Sequence, residues 1–156
     1  MVQAAAVLRG QGVTSVALTG SSLGSVSALV AASPEGPRRA VFPHDDRAPV
    51  LPEAPCATIL ISPILDWEEN TGTVSALAAP NLPNTVWIVH EKNNSSIVAD
   101  AARLRTRLSG AGSPKRSGAA LKELSVATSD HSLALVENHD EVLPFLTEAL
   151  SSCHPS

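Results

Sequence analysis

Apolar residues fall along this chain in short continuous runs separated by polar and proline-rich stretches. Val13 to Leu18 (VTSVAL), Ala57 to Ser62 (ATILIS) and Thr85 to Val89 (TVWIV) are rich in β-branched residues and apolar on both faces. That is the pattern of strands buried inside a sheet. A weaker fourth run covers Leu121 to Ala127. Between the runs the spacing turns helical. Met1 to Arg9 reads as a short amphipathic helix closed by Gly10 and Gly12, and Leu23 to Ala32 as a small-residue helix stopped by Ser33 and Pro34. Ile97 to Leu108 and Asp140 to Leu150 read as further helices, with a weaker one near Thr73 to Ala79. Strands alternating with helices predict an α/β fold, a three-layer sandwich around a mostly parallel sheet of about four strands. One domain accounts for residues 1–156, with a proline-rich excursion at 34–55 that reads as a surface loop or lid.

Composition narrows the function classes. The chain is 44% hydrophobic and 17% charged with a formal charge of −4, and its longest basic run is the pair Arg38–Arg39. These values argue against a polyanion-binding surface, so no nucleic-acid partner is expected. There is no Tyr and aromatics total 3%, which disfavours recognition by stacking. The N-terminus lacks a basic segment and a cleavage site, and no apolar run reaches membrane-spanning length, so no membrane partner is expected. Cys56 and Cys153 match no metal or redox spacing, and the plain reading is a reduced, cytoplasmic protein.

Candidate chemistry sits at Gly20-Ser21-Ser22-Leu23-Gly24, a G-x-S-x-G pattern between a predicted strand and a predicted helix. In a nucleophile elbow the central serine occupies a strained turn, and the flanking glycines supply room for close backbone approach. The Leu23 amide and the helix dipole behind it then favour an oxyanion beside Ser22. The competing reading is a plain tight turn. Thr19-Gly20-x-x-x-Gly24 also opens a dinucleotide-binding fingerprint, but Val26 stands where its last glycine belongs, and the tyrosine base of such dehydrogenases is missing. A base after the nucleophile in chain order is supplied by His131, in the loop Thr128-Ser129-Asp130-His131-Ser132. His90, at the end of the third strand, and Ser21 are expected to line the site; His44, His139 and His154 are placed less favourably.

Four blocks in order, VALTGSSLGSVSALVAAS, ATILISPILDW, VWIVHEKNNSSIVADAARL and SDHS, give the chain a resemblance to α/β-hydrolases of the dienelactone-hydrolase-like kind. The resemblance implies the C-terminal half of that fold and a serine hydrolase (an esterase). It would act on a carboxylic ester, lactone or related acyl substrate through an acyl-serine intermediate. It implies Ser22 as nucleophile, His131 as base, Leu23 as oxyanion donor, and neither metal nor organic cofactor. The family's acid falls at Asn93 or Asn94 here, so Asn94 or Asp66 is expected to orient the histidine. The alternative for Asp66 is a loop carboxylate making local turn hydrogen bonds. The family's earlier strands, and with them a second oxyanion amide, do not appear. Residues 13–18 would then form an exposed apolar edge inviting homo-oligomer formation. From a different class comes the alternative of a catalytically dead remnant serving as an oligomerising or partner-binding module.

Overall fold

A computed structural model describes residues 1–33, 51, 53–69, 72–75, 85–109 and 120–153 of the chain. Its elements run α1 (Val2–Gly10), β1 (Ala17–Ser21), α2 (Gly24–Ala32), β2 (Ala57–Ile61), β3 (Asp66–Glu69), β4 (Gly72–Ser75), β5 (Thr85–Glu91), α3 (Ser95–Leu108), β6 (Ala120–Val126), α4 (Leu133–Asn138) and α5 (Val142–Ser151). Four strands form one sheet in the order β1-β2-β5-β6, every pair parallel. The expected α/β sandwich is therefore the observed one. Most of the proline-rich excursion, the segment 76–84, His44 and His154 lie outside the described residues.

Strand alternation divides the core into two layers. Leu60, Val86 and Ile88 face α2 and α3, packing on Leu29, Val30, Leu104 and Leu108. Ile59, Ile61, Trp87 and Val89 face the other way, onto Leu135, Val142 and Ala149 of α4 and α5. Each fully buried Leu or Ile of this kind contributes about 1.5–3 kcal/mol. α2 carries no charge and buries seven of its nine residues, so its place is between the sheet and the rest of the chain rather than at the surface.

Several expectations shift. The first strand begins at Ala17, four residues later than Val13. Val16 and Leu18 are buried with Ala5 of α1 and with Ala31 and Ala32, while Val13 is exposed. Among the described residues β1 does end the sheet, pairing with β2 alone. The weak helix near Thr73 is replaced by β4, which pairs antiparallel with β3 as a separate hairpin. The β-branched Thr73-Val74 suits that hairpin better than a helix. Helix α4, between the last strand and the last helix, has no counterpart in the predicted elements. No described helix is long and apolar enough to cross a membrane.

The cysteines also depart from expectation. Cys56 and Cys153 are joined in a disulfide, with a Cα–Cα distance of 5.1 Å. It ties the entry to β2 to the end of α5 and removes the basis on which a reduced, cytoplasmic chain was expected. The bridge spans 97 residues, and closing a loop of that size in the unfolded chain is worth about 4–5 kcal/mol on the loop-entropy account. Urea unfolding with and without reductant should show a loss approaching that figure. Equal midpoints under both conditions would mean that the bridge adds nothing.

Candidate active site

At the end of β1 the backbone turns sharply into α2, and Ser22 sits on the turn with φ +52°. A non-glycine residue rarely adopts this conformation, so the surrounding bonds must hold it. Its amide donates to the Ile61 carbonyl at 2.9 Å, and its carbonyl accepts from the Ser25 amide at 2.9 Å and the Ile64 amide at 3.3 Å. Of the two motif glycines, only Gly20 is there for space. A Cβ on Gly20 would overlap the Gly24 carbonyl and lie 2.8 Å from the Ser25 Cα, whereas one on Gly24 would meet open space. The expectation that both glycines make room thus holds for the first alone.

The parallel register brings the C-terminal ends of β2, β5 and β6 beside this turn. His131, in the β6–α4 loop, places Nε2 3.1 Å from Ser22 Oγ, although the two residues are 109 positions apart. Its Nδ1 lies 2.7 Å from Glu91 Oε1. A carboxylate only accepts, so Nδ1 carries the proton and Nε2 of the neutral ring is left to accept from the Ser22 hydroxyl. Serine, histidine and carboxylate are linked in one hydrogen-bonded chain, an arrangement able to remove a proton from Ser22 and stabilise the imidazolium that results.

The carboxylate that meets His131 is therefore Glu91, and neither Asn94 nor Asp66 makes that hydrogen bond. β5 extends two residues beyond Val89, and Glu91 shares the face of Trp87 and Val89, toward α4 and the histidine loop. It has no exposed surface. Burial pushes its carboxyl up, but hydrogen bonds from His131 and Ser62 more than offset this and hold it below the usual glutamate range. Ser62 Oγ donates to Oε2 at 2.7 Å, and Asn94 Nδ2 donates to Oε1 at 3.2 Å. Asn94 thus bonds the same Glu91 oxygen as the histidine does.

Asp66 is elsewhere. It accepts from Arg103 at 2.7 Å, and Arg103 also reaches Asp100, whose other oxygen accepts from the Leu65 amide. The bond from Arg103 lowers the Asp66 carboxyl below its ordinary value. The network fastens the start of the hairpin to α3. His90 is likewise turned away. As the strand neighbour of Glu91 it points to the opposite face, buried, with its ring nitrogens 3.1 Å from the Glu91 carbonyl oxygen and 2.9 Å from Glu123 Oε1. Ser21 and Leu23 flank Ser22 and are exposed, Leu23 at the head of α2.

Further bonds fix the histidine loop. The Lys92 and Asn93 amides donate to the Val126 and Thr128 carbonyls, joining it to the end of β5. Asp130 accepts from Asn138 and His139 at 3.1 Å each. The Ser132 amide donates to Ser62 Oγ at 3.0 Å. Among the described residues, no group of three or more His, Cys, Asp or Glu side chains converges as metal ligands.

No protein-family model matches the chain, and neither the curated proteins nor the solved structures provide a match.

Two predictions follow from this geometry. Gly20→Ala should destabilise the fold by about 2 kcal/mol or more, since backbone must move to admit the methyl, whereas Gly24→Ala should stay within about 1 kcal/mol of wild type. Paired urea melts compare them, and equal losses would contradict the account. The second concerns pH. Because folding depresses the proton affinity of Glu91, its stabilisation is complete above the ordinary glutamate range and is lost as pH falls through the lowered value. Melts at decreasing pH should show a shallower loss for Glu91→Gln than for wild type; parallel curves would show that Glu91 is not a source of the dependence.

Proposed function

We propose that this protein is a serine hydrolase of α/β-hydrolase type, cleaving a carboxylic ester, lactone or related acyl compound. One observation carries the reading, namely the continuous chain from Ser22 Oγ through His131 to the buried Glu91 carboxylate. The strained turn at Ser22 and the order serine, acid, histidine along the sequence support it. The resemblance to dienelactone-hydrolase-like enzymes belongs to this proposal.

Ser22 Oγ attacks the acyl carbonyl while His131 Nε2 takes its proton. Glu91 holds the ring by its Nδ1–H and offsets the positive charge that develops. The tetrahedral oxyanion forms at the head of α2, where the Leu23 amide donates and the helix dipole is favourable. His131 then protonates the leaving alkoxide, and its return to the neutral form lets it activate water against the acyl-serine. Water's proton passes to His131, and the serine is regenerated with release of the acid. Asparagine at the family's acid position gives weight to a dead remnant, and the bond from His131 to Glu91 supports Glu91 as the acid instead. Disulfides persist in oxidising surroundings, so an extracytoplasmic site of action accords with the Cys56–Cys153 bridge better than the cytoplasm does.

A fluorophosphonate probe tests the reading on the intact chain. Wild type should be labelled, Ser22→Ala and His131→Ala should not, and Glu91→Gln should be slower by about 10³–10⁴-fold by analogy with the loss of a triad acid. Asp66→Asn should label at the wild-type rate. A folded wild-type protein that resists the probe would overturn the proposal, and strong impairment by Asp66→Asn alone would reassign the acid.

A further inference from the structure

The three described non-glycine residues with positive φ are all serines, Ser22, Ser62 and Ser132, and all three belong to the site just described. Ser22 carries the proposed nucleophile. Ser132 follows the histidine. Ser62 has no role in the reaction as written, yet it has no exposed surface and the most connected hydroxyl in the site.

β2 ends at Ile61, and at Ser62 the chain enters the left-handed region with φ +47° while the Ser62 amide still donates to the Val89 carbonyl at 2.9 Å. That turn aims Oγ between two elements distant in sequence. As donor it reaches Glu91 Oε2 at 2.7 Å; as acceptor it receives the Ser132 amide at 3.0 Å. Glu91 Oε1 is meanwhile occupied by His131 and Asn94. One hydroxyl therefore fills the second oxygen of the acid and pins the residue after the base.

We propose that Ser62 is a positioning residue of the Ser22–His131–Glu91 triad, its hydroxyl clamping the Glu91 carboxylate to the backbone of the histidine loop. The proposal rests on the hydrolase reading, since it assigns Ser62 to the machinery of that reaction. The physical need is clear from Glu91. A buried carboxylate with one oxygen unbonded resists ionisation and can rotate, and either change weakens the acceptor that fixes the imidazole. The titratable group facing that carboxylate is His131; the other contacts, Ser62 from the end of β2 and Asn94 from the cap of α3, are neutral. Hydrogen bonding from Ser62 is among the causes that lower the Glu91 carboxyl. The strained backbone at Ser62 and Ser132 is retained because each holds one end of the same clamp.

Ser62→Gly isolates the hydroxyl. Glycine adopts positive φ without a steric penalty, so the variant keeps the turn while losing the two bonds and the Cβ. Ser62→Ala serves as a second variant that keeps the Cβ. Carbon-13 NMR of glutamate-labelled protein follows the Glu91 carboxyl through its titration in each form, and fluorophosphonate labelling gives the rate at saturating probe and the probe's apparent affinity. In both variants the Glu91 midpoint should move upward. The saturated labelling rate should fall roughly ten- to a hundred-fold, with affinity unchanged and part of the loss recovered at higher pH. A folded Ser62→Gly protein with the wild-type midpoint and labelling rate would overturn the proposal and leave the hydrolase reading intact. Failure of wild type to label would instead remove the hydrolase reading, and with it the triad that Ser62 is proposed to position.

Discussion

A glutamate with no exposed surface at the end of an inner strand sets the main physical constraint on this molecule. An ionised carboxylate removed from water must be met by donors or it takes up a proton. Glu91 is met by three: His131 and Asn94 on one oxygen and Ser62 on the other. Each comes from a different segment. Their convergence requires that β5 and β6 end level two residues beyond β2, that the chain after β2 turn through a left-handed conformation, and that the β6–α4 loop fold back onto the strand ends.

The parallel sheet meets those requirements through its register. Leu60 pairs with Ile88, and Val89 with Leu124, so the C-terminal ends of adjacent strands stay within two residues of one another and their following loops open to one side. Strand alternation then sorts side chains by face. Glu91 follows Trp87 and Val89 toward the histidine loop, while His90 is sent to the α3 side and joined to Glu123, which Arg105 also holds. The disulfide lies at the opposite end of β2, beyond Ala57, so covalent reinforcement and candidate chemistry occupy different ends of the sheet. Gly20 completes the arrangement on the β1 side, where any side chain would push α2 away from the turn.

How much of this could be read from the residues alone follows from which signals are local. The strand cores at Ala57–Ile61 and Thr85–Val89 and the helix ending at Ala32 announce themselves by continuous apolar composition. Ser22 is legible because glycine spacing and a strand-to-helix context coincide, and His131 because it follows the last strand. Glu91 was hidden for a local reason. His90-Glu91 looks like the polar end of a strand, and the resemblance puts the acid farther on, at Asn93-Asn94, whereas β5 continues to Glu91 and turns it inward. Asp66 stands out in the sequence as the carboxylate after β2, but Arg103, 37 positions away, claims it. The disulfide spans 97 residues, and no spacing rule connects partners so remote. Ser62 read only as the last letter of a strand. Its importance depends on the positive φ and on two contacts, 29 and 70 positions away, that only the folded chain brings together.

The central claim is that Ser22 becomes covalently acylated through His131 and Glu91, and peptide-level mass spectrometry of protein quenched during reaction with an activated acetate ester tests it most directly. The account predicts an acetyl group on the Ser22 peptide at early times, discharged as the ester is consumed and absent from Ser22→Ala. A folded protein in which no acetyl group reaches Ser22, or in which it appears equally on exposed lysines and persists, would contradict it.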